Sequence, residues 1–126
     1  MHTIEIPRRE WISRLNEFSR AHEGWPVSLD ILSDSIGAQP EFRLLSLAGI
    51  TGDPSDGGRI SITAATPAGG FFTHTIHAPL HVFIEETSAG AEAALEIESA
   101  DGARAILQFR IGPSADDLVR GRCGER

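Results

Sequence analysis

At 126 residues with 40% hydrophobic content, the chain has the size and composition of one folded domain, neither disordered nor membrane-like. The net charge is −7, and all eleven basic residues are arginine, which argues against a protein that grips a nucleic-acid backbone. A single cysteine, Cys123, excludes an internal disulfide and fits a reducing compartment.

The first residues, MHTIEIPRRE, lack the basic segment and apolar run of a secretory leader. No apolar stretch is long enough to cross a bilayer, so a cytoplasmic location without membrane partners is expected. Residues 7–22 predict an amphipathic helix. Pro7 suits its first position, Trp11, Leu15, Phe18 and His22 recur at helical spacing, and Ile12 widens the stripe. Gly24 and Pro26 stop it.

Residues 27–32 then alternate, with Val27, Leu29 and Ile31 inward and Ser28 and Asp30 outward. Residues 41–50 form the next strand, but the phase changes between Phe42/Leu44 and Leu45/Leu47, which predicts a bulge near Leu44-Leu45 or a strand covered on both sides. A turn-rich loop at 52–58 leads to a regular strand at 59–65, with Ile60 and Ile62 inward.

The densest β signal is FFTHTIHAPLHVFIEE, residues 71–86. It reads as two strands, 71–77 and 80–86, separated at Pro79, which cannot donate to a ladder and belongs at an edge, bulge or turn. Phe72, His74 and Ile76 share one face; Leu80, Val82 and Ile84 face the core. Three of the five histidines, His74, His77 and His81, lie here and with Glu85 are the candidate metal ligands. Their spacing opposes that use. His74 and His77 fall on opposite faces, and His77 and His81 are about 13 Å apart on a straight strand. Ligand nitrogens must lie roughly 2 Å from zinc. No cofactor is therefore expected.

Residues 94–99 and 103–111 predict a hairpin. A two-residue turn would set Glu96 against Leu107, mixing charge with core. A three-residue loop, Ala100-Asp101-Gly102, instead aligns Leu95 with Leu107, Ile97 with Ala105 and Glu98 with Arg104. Residues 114–120 predict a short C-terminal helix capped by Ser114, before a loose tail.

Several motifs occur together: IPRREW at 6–11, GWPV at 24–27, IGAQ at 36–39, LAGI at 47–50, THTI at 73–76 and ALEIESADG at 94–102. In combination they resemble a family of small bacterial proteins catalogued as a domain of unknown function, over residues 4 to about 111. The resemblance implies a bacterial cytosolic protein and supplies no activity, ligand or catalytic residue.

The fold class expected is α+β, mainly β. An N-terminal amphipathic helix precedes a twisted antiparallel sheet or small barrel of about seven short strands and the short C-terminal helix. Residues 1–112 would form one domain and 113–126 a short appendage. No nucleophile elbow, phosphate loop or dinucleotide fingerprint is present, so the reading leans away from an enzyme. The expected function is a protein-binding or accessory module, docking a partner or a second copy. Glu85, Glu86, Glu96 and Glu98 are the docking candidates in an acidic block without a basic residue, and unpaired strand edges are a second possible surface. The alternative is a metal- or ligand-binding protein, enzymatic or not, built on His74, His77 and His81. A nucleic-acid-binding small barrel is third.

Overall fold

The structure, a computed structural model, describes residues 2–35, 37–54 and 57–109. Strand β1 (His2–Glu5) leads through a 3-10 turn (Arg8–Glu10) into helix α1 (Trp11–Ala21). Then follow β2 (Pro26–Ser33), β3 (Gly37–Asp53), β4 (Arg59–Ala65), β5 (Phe71–His77), β6 (Pro79–Glu86), β7 (Glu92–Ser99) and β8 (Arg104–Phe109). The predicted C-terminal helix and Cys123 lie outside the described residues.

The helix begins later than its periodicity suggests. Pro7 has an extended ψ of 144°, and Glu10 N–H donates to its carbonyl, so the first turn is 3-10 rather than α. Trp11, Leu15 and Phe18 are buried, as their spacing requires, while Ile12 sits at the margin, 45% exposed. At the far end His22 N–H donates to Phe18 O, and Gly24, at φ +85°, turns the chain out. Bonds from Gly24 N to Leu47 O and from Leu47 N to Trp25 O then tie this exit to β3.

All strand pairings are antiparallel, in the order β1-β6-β7-β8-β2-β3-β4-β5. Two meanders, β2 to β5 and β6 to β8, are joined where β8 pairs with β2. Ala78 connects β5, at one edge, to β6, next to the other edge. It sits at φ +51°, donates its N–H to Gly58 O and accepts a bond from Ala100 N–H. The sheet is thus strongly curled but not closed; the barrel alternative does not hold.

Curvature also comes from β3, which pairs with β2 over its first half and β4 over its second. The predicted bulge is present: Val27 is opposite Leu45 and Leu29 opposite Phe42, with Leu44 at φ +54° in the excess. A second irregularity follows, with Asp30 opposite Pro40, so Glu41 is also extra. The strand runs on to Asp53, three residues past its expected end, because Gly52 still pairs with Ile60. The β7–β8 hairpin has the predicted register: Leu95 opposite Leu107, Ile97 opposite Ala105, Glu98 opposite Arg104. Gly102 lies at φ +90°, and the Asp101 carboxylate accepts bonds from Ser99 Oγ and Ala103 N–H, which hold that carboxyl below its ordinary range.

One core results, built from Leu15 of the helix and Val27, Leu29, Leu47, Ile60, Ile62, Ile84, Leu95 and Leu107 of the sheet. Leu80 departs from expectation. The register shifts between Pro79 and His81, so Pro79 is buried and Leu80 turns outward, 51% exposed.

Candidate functional site

Strand β5 pairs only with β4 among the described residues, so its other side has no ladder partner among them. The phase of that edge follows from two bonds that bracket the pair, Thr66 N–H to Gly70 O at 2.9 Å and Ala78 N–H to Gly58 O at 3.0 Å. Both fall on one ladder with the pairs Ala64–Phe72, Ile62–His74 and Ile60–Ile76. Antiparallel pairs alternate between bonded and non-bonded, so the even positions of β5 direct their backbone groups to β4. Phe71, Thr73, Thr75 and His77 direct theirs to the other side.

The same residues carry the outward side chains. Thr73 Oγ1 lies 3.0 Å from Thr63 Oγ1, and Thr75 Oγ1 3.1 Å from Ser61 Oγ. With Thr51 opposite Ser61 these hydroxyls form a flat polar surface, and Phe71, 69% exposed, stands at its end. A shallow depression bordered by Thr51, Asp53, Arg59, Ser61, Thr75 and His77 encloses about 430 Å³. On the inner face Ile76 is buried, Phe72 packs edge-on against Phe42, and half-buried His74 has Nδ1 3.6 Å from Glu41 Oε1. The Glu41 bulge on β3 brings these two residues together, and beyond β5 a cleft of about 250 Å³ separates it from the β7–β8 hairpin tip.

The other predicted residues are dispersed. His77 is exposed beside the depression, and His81 Nδ1 lies 2.7 Å from Glu5 Oε2 on the β1–β6 face. His74, His77 and His81 thus stand in three settings, and among the described residues no group of three or more His, Cys, Asp or Glu is arranged to hold a metal ion. Glu85, Glu96 and Glu98 do share the outer face of β6 and β7, where Arg104 Nη1 reaches Glu96 Oε2 at 3.4 Å. Burial raises the Glu96 carboxyl above its ordinary range, Arg104 opposes this, and Glu85 and Glu98 add to the rise. Glu86 lies past a register shift, opposite Glu92.

The sequence profile of a family of unknown function, DUF5335, matches residues 2–118. The chain belongs to the DUF5335 family. No curated protein and no solved structure matches it. For this DUF5335 chain the site must therefore be judged on geometry. Among its described residues no helix is long and apolar enough to cross a membrane.

Sequence reasoning placed His22 in the helical stripe of this DUF5335 fold but missed what it meets, and it missed strand β1. His22 is buried between Phe109, stacked at 4.4 Å, and Trp25, edge-on at 4.6 Å. Its Nδ1 donates to Phe18 O, and Nε2 faces Glu92 Oε1 at 3.4 Å, joining the helix end to β7. Only its place in the helical stripe signalled burial. The four residues of β1, HTIE, are too few to display a period, yet they pair with β6 from His2–Glu86 to Glu5–Phe83.

Proposed function

We propose that this protein is a non-enzymatic protein-binding module whose docking element is the outward edge of β5. The observation that carries the reading is the row of outward backbone groups at Phe71, Thr73, Thr75 and His77. Sheet edges of this length are usually blunted by charge, proline or brevity. Here the edge sequence FFTHTIH holds no Asp, Glu, Lys, Arg or Pro. The opposite edge, β1, is four residues long and ends on Glu5. An extended segment added beside β5 would gain main-chain bonds from the odd positions and side-chain contacts from the hydroxyl surface and Phe71.

The acidic face is less favoured as the docking surface. Glu96 is engaged by Arg104 and crowded by Glu85, which weakens the field it presents to a basic partner.

The test is selection of extended peptides from a displayed library on the immobilised full chain, followed by amide-shift titration. Selected peptides are expected to shift the amides of Phe71, Thr73, Thr75 and His77. They should bind about tenfold or more weakly to a Thr73→Pro variant, which lacks one edge donor. Charge reversal at Glu96 and Glu98 should leave binding unchanged. Peptides that bind Thr73→Pro as well as wild type would overturn the reading.

A further inference from the structure

The side of β5 away from β4 differs at its two ends. At the start of the strand Phe71 is 69% exposed. At its finish Ala100 N–H donates to Ala78 O at 2.9 Å, so the tip of the β7–β8 hairpin stands across the path of any strand laid along β5. The cleft of about 250 Å³ lies there, with Thr75 and His77 on its β5 wall and Ser99, Asp101 and Arg104 on its hairpin wall. A segment that pairs with β5 along its length has to stop inside this cleft. Resting on the edge-docking reading above, we infer that the docked segment is a free N-terminus of another chain, its α-ammonium group seated against His77 and Asp101.

Two independent observations select an N-terminus over a C-terminus. The first is strand direction. Every pairing in the sheet is antiparallel, the type that is slightly more stable per residue. Strand β5 runs from Phe71 to His77, so a segment antiparallel to it starts beside His77 and leaves past Phe71. Its first residue is then the one in the cleft. His77 is an odd position with outward backbone groups. Its carbonyl can accept from the ammonium, and its N–H can donate to the first carbonyl of the segment.

The second observation is charge. Asp101 and Arg104 are the carboxylate and the guanidinium that line the cleft. Arg104 is engaged by Glu96, Nη1 to Oε2 at 3.4 Å. Asp101 accepts from Ser99 Oγ at 2.6 Å and from Ala103 N–H at 3.0 Å, both on Oδ1. These bonds fix the carboxylate on the cleft wall and leave Oδ2 able to accept from a further donor. Glu41 adds a second carboxylate beside His74. In a chain of net charge −7, this end of the edge attracts an ammonium and repels a C-terminal carboxylate. The three N–H groups of an ammonium suffice for His77 O and Asp101 together. Capture of a terminal amine is an established mode of peptide recognition, here combined with strand addition.

The experiment is amide-shift titration of the full chain with peptides of the length of β5, seven residues, selected with free N-termini. Each peptide is compared with its N-acetylated form and its C-amidated form. Acetylation is expected to raise the dissociation constant about tenfold or more, and amidation to leave it unchanged. Asp101→Asn keeps Oδ1 as the acceptor for Ser99 and Ala103 but removes the charge. It should weaken the free-amine peptides about tenfold and the acetylated ones not at all. Binding of the free-amine peptides should also weaken as pH rises through about 8, the ordinary α-amino range. Acetylation alters only the peptide, so that comparison does not depend on the folding of any variant.

Acetylated peptides that bind as well as free ones, while Thr73→Pro still weakens both, would overturn N-terminal capture and leave the edge-docking reading standing. Binding lost on C-amidation would reverse the direction of the segment and likewise overturn the capture of an amine. Peptides that shift none of the odd-position amides, or that bind Thr73→Pro as well as wild type, would overturn both readings.

Discussion

Leu44 and Glu96 are single residues held in unfavourable settings by their neighbours. Leu44 lies at φ +54°, where a side chain crowds its own backbone, because the bulge opposite Ser28 requires a left-handed turn. Its amide is held by Ser28 Oγ at 3.0 Å, and its side chain is 54% exposed, so little packing depends on it. Leu44→Gly should therefore raise stability by about 0.5–1 kcal/mol in chemical denaturation. Glu96 is raised above its ordinary value of 4.5 chiefly by burial, so the folded chain holds that proton to higher pH than the unfolded chain. The sign follows from linkage. Above the folded value the ionised group weakens the fold, and the loss is relieved as pH falls toward 4.5. Glu96→Gln should cost the protein little or nothing near neutral pH despite the loss of the Arg104 ion pair, and its stability relative to wild type should fall under acid, as thermal melts across pH would report. The Leu44 bulge was legible in the phase change between Phe42/Leu44 and Leu45/Leu47. The Glu96 environment was not, because it depends on Glu85 and Arg104 arriving from two other strands.

At the scale of elements, the helix–sheet contact rests on close approach. A Cβ at Gly52 would lie 3.6 Å from Ile12 Cγ1 and 3.7 Å from Leu15 Cδ1, so the helix sits directly on the backbone of β3. There the Ile50 amide, although inside a strand, donates to Ser19 Oγ at 3.0 Å. Ser19→Ala should cost about 1–3 kcal/mol, the penalty for leaving a part-buried donor without its acceptor, measured by urea titration. The helical stripe and the hairpin register were both readable because each is local. A period of 3.6 selects Trp11, Leu15 and Phe18, and the loop length decides which face Glu98 and Arg104 share. Ser19 carries no such mark. It lies beside the stripe in sequence and acquires its bond only when β3 arrives from thirty-one positions away.

For the whole molecule, the open sheet makes the two sides of β5 unequal, and a pair of proline variants measures this. His74→Pro removes a donor aimed at β4 and should cost about 3 kcal/mol or more. Thr73→Pro removes a donor aimed outward and should leave the melting temperature close to wild type. Equal destabilisation by both would mean that the assigned phase of the edge is wrong. The shared acidic surface of Glu85, Glu96 and Glu98 was foreshadowed by the charge block, but Glu86 separates from it at a register shift. The histidines, adjacent in sequence, are parted by strand parity and by the turn at Ala78, each meeting a different neighbour.

Short-range physics made much of this protein readable from its residues. Alternation, helical spacing, turn chemistry and proline placement report which face of each element is apolar, and β2, β4, the β7–β8 hairpin and the buried stripe of α1 follow from them. Strand order and sheet closure depend on which distant segments meet, and no period within a segment encodes that. Only the tertiary structure decided that β8 joins the two meanders through β2, that Glu41 meets His74, and that β5 ends the sheet. The left-handed residue at Ala78 sends the chain from one end of the sheet to the other, which leaves the edge of β5 without a partner among the described strands.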